Sequence, residues 1–408
     1  MKLPWKAGKP LSTKDWKDYR KRVLLDCRDC GIEPQDYFNL ARFPLLIERE
    51  EWLTVTRHAE RLAKEALAAE QELIIRPELH EELGLPAAVR GVLRECSRKE
   101  RPRGSARVTR SDFHFTPGGW QISEVNVDFL GGFIEASSFT ELMAPYFPGF
   151  SPPPNLAAAY ARAIRNAVGE DGLIGIVRWP PISRFRDIKC VAREIRRQGM
   201  RLVRLRPGQI SWRSDYAEFA DSRALGKPDL LIRFYNADWL LRLHRRSQWA
   251  PWFCGGRTRM SNPASCMLTQ SKRFPLVWDK LRTPMSAWRL LLPDTRDPSE
   301  VSAASEKEWV FKSLYGMGGK EVAIAGVTEV VAYQRMLRHA RRDPAGWVAQ
   351  RQFESVAVLT PQGPRHICLG VYTVDGHAVG AYTRMTPKPL VDNHAQNVAV
   401  LIRSNWRG

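Results

Sequence analysis

The chain has 408 residues, 44% hydrophobic and 26% charged, enough for two or three ordinary cores and unlike a disordered tail. No apolar run nears the roughly 20 residues that cross a bilayer, and the basic start MKLPWKAGKPLSTKDWKDYR lacks a secretory leader's apolar core. The formal net charge of +19 asks for an anionic partner or reflects an Arg-rich solvated surface; without zinc-ligand pairs or an RNP-like aromatic strand, an anionic small molecule such as a nucleotide is expected ahead of nucleic acid.

The first hundred residues read as helical. In TRHAERLAKEALAAEQEL, Ala59, Leu62, Ala63, Ala66, Leu67 and Leu73 recur at helical spacing. LGLPAAVRGVL follows as a shorter helix with Pro86 near its start. A charged linker over 97–105 leads to RVTRSDFHFTPGGWQISEVNVDFLGGF, two strand-like arms joined at Pro-Gly-Gly. From 172 the pattern becomes strand GLIGIVRW, helix RDIKCVAREIRRQG ending at Gly199, then strands MRLVRL and PDLLIRFY. That series predicts a small parallel α/β unit, and it lacks the G-x-G-x-x-G of a dinucleotide site. The last 150 residues are strand-rich: WVFKSLYGMGGKEVAIAG, WVAQRQFESVAVL, and HICLGVYTVDGHAVGAYTRM with a hairpin turn at VDG.

The polar arms around Pro117 carry the first chemical signal. Side chains alternate along a strand, so Arg110, Asp112 and His114 share one face, and Glu124, Asn126 and Asp128 share one face of the other arm. A turn of odd length, for instance Pro117–Gly119, sets Asp112 opposite Glu124 and Arg110 opposite Asn126; a four-residue turn puts the two sets on opposite faces. In the odd register two carboxylates and an amide oxygen converge beside an arginine. Oxygen-only donors select a hard cation, with Mg2+ the usual one beside phosphates. The bland alternative is a solvated edge hairpin. The second signal is FKSLYGMGGKEV, where Lys312 on a strand precedes a loop with Gly316, Gly318 and Gly319. Backbone N–H groups of such a loop can approach phosphate oxygens while the lysine supplies charge. It is not a P-loop, because a strand follows it.

Other patterns lead nowhere. Cys27 and Cys30 form a lone C-x-x-C, HEELG lacks a second histidine, and no G-x-S-x-G occurs. Seven scattered cysteines without framework spacing suggest a reducing, cytoplasmic setting.

Taken in order, the segments resemble the synthetase part of glutathionylspermidine synthase and its relatives, circularly permuted members of the ATP-grasp family. Arg110-Ser111-Asp112 and Glu124-Val125-Asn126 match that family's R-x-D and E-x-N metal motif in order and spacing. The resemblance implies Asp112, Glu124 and Asn126 as Mg2+ ligands and Arg110 as the catalytic arginine. It implies ATP contacts from Lys280 in SKRFPLVWDKL, from Lys312 with Gly316, Gly318 and Gly319, from Gln350 in WVAQRQF, and from Arg384 in GAYTRM.

The fold it implies is mixed α/β (α+β), an ATP-grasp fold with a small Rossmann-like pre-ATP-grasp unit and a helical N-terminal region. The expected divisions are 1–100 helical, 101–170 carrying the metal hairpin, 171–260 Rossmann-like and 261–408 nucleotide-binding. The implied activity is a cytoplasmic ATP- and Mg2+-dependent ligase joining a small-molecule or peptide carboxylate to an amine through an acyl phosphate, away from membranes. The alternatives are a nucleotide-binding regulatory or partner-binding protein without ligase activity, or a basic nucleic-acid-binding protein. One departure bears on substrate. After E-x-N the family carries small hydroxyl residues near the acyl substrate, whereas this chain reads VDFLGGF, with Phe129 and Gly131. The ATP machinery is therefore expected, and glutathione and spermidine are not.

Overall fold

The computed structural model describes residues 3–29, 39–96, 106–179, 185–220, 226–243, 248–314, 316, 321–392 and 394–404. A long helix α1 (Arg49–Ile74) starts seven residues before the expected stretch, and Trp52, Val55, Ala59, Leu62, Ala66, Ala69 and Leu73 form its buried stripe. Leu67, expected on that face, is exposed at the stripe's edge. Helix α2 (Ala87–Cys96) begins directly after Pro86, whose missing N–H is no loss there.

Strands β1 (Val108–Thr116) and β2 (Gly119–Asn126) form the antiparallel hairpin. Its turn differs from the expected one. Thr116 pairs with Gly119, so Pro117 and Gly118 alone make the loop, and the Thr116 hydroxyl accepts from the Gly118 N–H. A two-residue turn would by itself set Asp112 opposite Ser123. A one-residue bulge at Ser123 corrects the parity, and Asp112 faces Glu124 while Arg110 faces Asn126. The expected pairs are present, set by the bulge and not by the turn.

Strand β3 (Leu173–Arg178), helix α3 (Phe185–Arg197) and strands β4 (Arg201–Leu205), β5 (Leu230–Phe234) and β6 (Arg259–Ser261) make the parallel unit. Its sheet order is β6-β5-β3-β4, all neighbours parallel. Ile188, Val191, Ala192 and Ile195 of α3 are fully buried against it, and Gly199 takes the left-handed conformation that stops the helix (φ 86°).

A smaller antiparallel sheet holds β7 (Trp309–Ser313) at its centre, between Val322–Ala323 and β8 (Trp347–Arg351), with Thr295–Arg296 at the far edge. Helix α4 (Val330–Arg342) covers it, packing Tyr333, Met336, Leu337 and Ala340 on Trp309, Phe311 and Trp347. Strands β9 (Gly363–Val374) and β10 (His377–Thr386) turn at Asp375 and Gly376, both at positive φ as the tightest hairpin requires. Strand β9 also pairs with β1, setting Tyr372 opposite Arg110 and Gly370 opposite Asp112. The hairpin is therefore built into the sheet through β1, which is internal among the six strands, while β2 forms the sheet's half-buried edge.

Two tertiary ties were invisible in the sequence. A disulfide joins Cys96, at the end of α2, to Cys254 in the short helix Ala250–Cys254, 158 residues away. It removes the argument from cysteine usage for a reducing compartment. Among the described residues no helix is long and apolar enough to cross a membrane. The other tie is buried Asn262, just past β6. Its Nδ2 donates to the carbonyls of Val108 (2.7 Å) and Val127 (2.8 Å), and its Oδ1 accepts from the Val108 N–H (2.9 Å). One side chain thus holds both arms of the hairpin at their base. Asn262→Ala should cost about 3 kcal/mol, since each buried backbone group left unpaired costs roughly 1–3 kcal/mol. Urea unfolding measures it; a loss below about 1 kcal/mol would mean that water replaces the clasp.

Candidate active site

Asp112 lies at the centre of the six-stranded sheet with no solvent exposure. Arg110, two residues earlier on the same face, grips it with two bonds, Nε to Oδ1 at 2.7 Å and Nη2 to Oδ2 at 2.9 Å. Arg384 reaches it from β10, Nη2 to Oδ2 at 2.9 Å. Asn126 donates from Nδ2 to Glu124 Oε1 (3.2 Å) and to Asp112 Oδ2 (3.5 Å), so the three predicted oxygen donors touch one another. Burial pushes the Asp112 carboxyl up, but Arg110 and Arg384 outweigh burial and hold it below its ordinary value. Gly370 makes the crowding possible, since a Cβ there would stand 3.0 Å from Arg110 Cδ and 3.4 Å from Asp112 Oδ1.

The arginine is held from all sides. The rings of Tyr372 and Tyr382 lie 5.9 Å from the Arg110 guanidinium. The Tyr372 hydroxyl donates to the Gly131 carbonyl, which also accepts from Arg110 Nη1 at 3.4 Å. Gly132, at φ 91°, could be nothing larger, because a Cβ would sit 2.3 Å from the Tyr372 oxygen. Asp187 accepts from the N–H groups of Gly132 (3.3 Å) and Phe133 (3.0 Å) and pins this loop to α3. His114, next on the same face, bonds the Ser123 hydroxyl at 3.1 Å. Burial, against the pull of Asp112, drives its pKa down to about 4, so it is neutral at pH 7.

From the smaller sheet Lys312 crosses to the hairpin. Its Nζ donates to the carbonyl of Ser123, the bulge residue (3.1 Å), and to Gln350 Oε1 (2.6 Å); Gln350 in turn donates to Thr295 Oγ1 at 3.1 Å. Burial lowers the Lys312 pKa to about 8, with Glu124 opposing the fall and Lys272 adding to it. Lys272 donates to the carbonyls of Ser313 (2.9 Å), Leu314 (3.3 Å) and Gly316 (3.1 Å), and burial depresses it too, against Glu124 and Glu321. Just before it, Gln270 accepts from the N–H groups of Val127 (2.7 Å) and Asp128 (3.0 Å), tying this segment to the end of β2.

The structure thus gathers Arg110, Asp112, Glu124, Asn126 and Arg384 on one sheet, with Lys312 and Gln350 facing them and Gly316 linked through Lys272. Lys280 is elsewhere: it is exposed and paired with Glu82 at 2.6 Å. Gly318 and Gly319 lie outside the described residues. Lys272 is the residue that sequence reasoning missed. It sits in the same SKRFPLVWDKL segment as Lys280, one residue beyond Ser271 and the short helix Met267–Gln270. Among the described residues no cluster of three or more His, Cys, Asp and Glu side chains could hold a metal; the donor set here is two carboxylates and an amide.

Two facing antiparallel sheets with cationic side chains between them, beside a parallel unit, are the α/β architecture of an ATP-grasp synthetase. Residues 186–403 match the family described as glutathionylspermidine synthase preATP-grasp, and the chain belongs to that family. Among solved structures it is similar to a glutathione synthetase-like effector from Globodera pallida in apo form, with TM-score 0.65 and 11% identity over 95% of this chain and 96% of that one. At that identity the likeness is one of fold. A putative γ-glutamylcysteine synthetase from Methylobacillus flagellatus gives TM-score 0.43 and 12% identity over 83% and 88%. No curated protein matches the chain.

Proposed function

We propose that the protein is an ATP- and Mg2+-dependent carboxylate–amine ligase that works through an acyl phosphate. The observation that carries this is the register: Asp112 facing Glu124 with Arg110 facing Asn126 on the same side, opposite Lys312. The residues fit the groups they would hold. Asp112, Glu124 and Asn126 offer oxygen donors only, which suits a hard cation. Lys312, Lys272 and Arg384 converge from three elements and suit a phosphate chain. Bound there, Mg2+ would supply charge neutralisation at the phosphates.

The chain's own part is positioning and charge, which is most of what phosphoryl transfer needs. Arg110, fixed between two tyrosine rings, stabilises negative charge as the γ-phosphoryl passes to a carboxylate oxygen and ADP leaves. An amine then attacks the acyl carbon, phosphate departs and the nitrogen gives up a proton. Gln350, beside Lys312, meets the nucleotide base. The acid is a small-molecule or peptide carboxylate. A second reading, nucleotide binding without ligation, draws on Phe129, which packs edge-on against Phe234 (5.9 Å) just after the hairpin, where the resemblance leads one to expect a small hydroxyl residue.

Thermal unfolding with and without Mg-ATP tests the nucleotide site. Ligand at about a hundred times its Kd stabilises by roughly 2.7 kcal/mol. ADP release that requires both a carboxylate and an amine then separates ligase from binder. A folded protein showing no shift with Mg-ATP would overturn both readings.

A further inference from the structure

The side chains proposed to hold a divalent cation are engaged by one another and by two arginines. Asp112 Oδ2 accepts from Arg110, Arg384 and Asn126, and Oδ1 from Arg110, so most of the proposed metal ligand's lone pairs are already engaged. Around it stand three carboxylates, Asp112, Glu124 and, beside Lys272, Glu321, and four cations, Arg110, Arg384, Lys312 and Lys272. A divalent ion entering alone meets an excess of positive charge in a buried setting. A triphosphate reverses that sign.

The two arginines are not equivalent. Arg110 holds Asp112 with two bonds, lies between Tyr372 and Tyr382, and bonds the Gly131 carbonyl; its side chain is 9% exposed. Arg384 holds Asp112 through Nη2 alone, with the weak acceptor Cys368 Sγ at 3.5 Å and the single ring of Tyr382 at 6.0 Å as further contacts, and its side chain is 22% exposed. It is the partner that can leave. We propose that Arg384 has two positions: it caps Asp112 in the empty protein and moves onto the nucleotide phosphates when they arrive, so that metal and nucleotide bind as one unit and neither metal nor phosphate-free adenosine opens the site. This rests on the nucleotide reading given above and adds its order of assembly.

Mn2+ is the probe, followed by water proton relaxation, which reports protein-bound ion without turnover. The wild-type protein should bind Mn2+ weakly alone and no better with adenosine, but at least tenfold more tightly with a non-hydrolysable ATP analogue. Arg384→Gln should bind Mn2+ alone at least tenfold more tightly than wild type, with a smaller gain from the analogue. Wild type binding Mn2+ alone as tightly as it does with the analogue overturns the cap while leaving the nucleotide site standing. Adenosine acting like the analogue also overturns it. If equilibrium dialysis with Mn2+ present finds no analogue binding at all, the nucleotide reading falls and the cap falls with it. The three wild-type arms decide the matter even if Arg384→Gln does not fold.

Discussion

Glu124→Gln should abolish the Mg-ATP-induced rise in thermal midpoint and lower turnover by about 100-fold or more, while the unliganded protein unfolds close to wild type. The substitution changes no volume, and a glutamine oxygen can still accept from Asn126 Nδ2, which bonds Glu124 Oε1 at 3.2 Å. What disappears is one of two negative charges facing Lys272 and Lys312. Two effects then add. A hard cation loses a charged oxygen ligand, worth several kcal/mol of transition-state stabilisation. Lys312 also loses the carboxylate that helps it stay protonated. Removal of one preorganised charge-stabilising group commonly costs about 10²–10³ in rate. Steady-state ADP release and a thermal scan with Mg-ATP measure both. A variant within about tenfold of wild type on both would reduce the polar hairpin face to internal packing.

Why the hairpin could be read from sequence, and Lys272 could not, follows from what each depends on. Alternation along a strand is local, so Arg110 and Asp112 were bound to share a face, as were Glu124 and Asn126. Their facing one another depends on parity, and parity came from a bulge at Ser123 that no turn rule announces. The parallel unit was legible because its apolar runs and the amphipathic α3 carry their own periods. Helix α1 extends N-terminal of its legible stretch through Thr54 and Val55, β-branched residues of poor helix propensity, because Trp52 and Val55 continue the buried stripe. The choice between Lys272 and Lys280 is tertiary: both follow apolar turns, but only one meets the carbonyls of Ser313, Leu314 and Gly316, some forty residues on. The tyrosine frame of Arg110 arises where β9 pairs with β1 across more than 250 residues, beyond any local pattern.

Nucleotide binding should weaken as pH rises beyond about 8 and should then be accompanied by proton uptake. Lys312 is the cause. Its folded pKa is lowered from the ordinary 10.5 to about 8, chiefly by burial. Phosphate oxygens favour the ammonium form, so at about pH 9 binding must first reprotonate most of the molecules. Calorimetric titrations at that pH in two buffers of different ionisation enthalpy would give heats that differ by nearly one proton's worth; equal heats would refute the assignment. Stability carries the opposite sign. Between about pH 8 and 10.5 the unfolded chain binds more protons at this lysine than the folded one, so its contribution to unliganded stability rises with pH. Below pH 8 the cost of the buried charge is fully present. Lys312→Met, which removes that charge, should therefore compare best with wild type near pH 7 and lose ground steadily up to about pH 10.5. The same variant should bind no nucleotide at any pH. A site that costs stability when empty and repays it only with phosphates bound has been shaped for a ligand, and Lys312→Met asks that question in both directions at once.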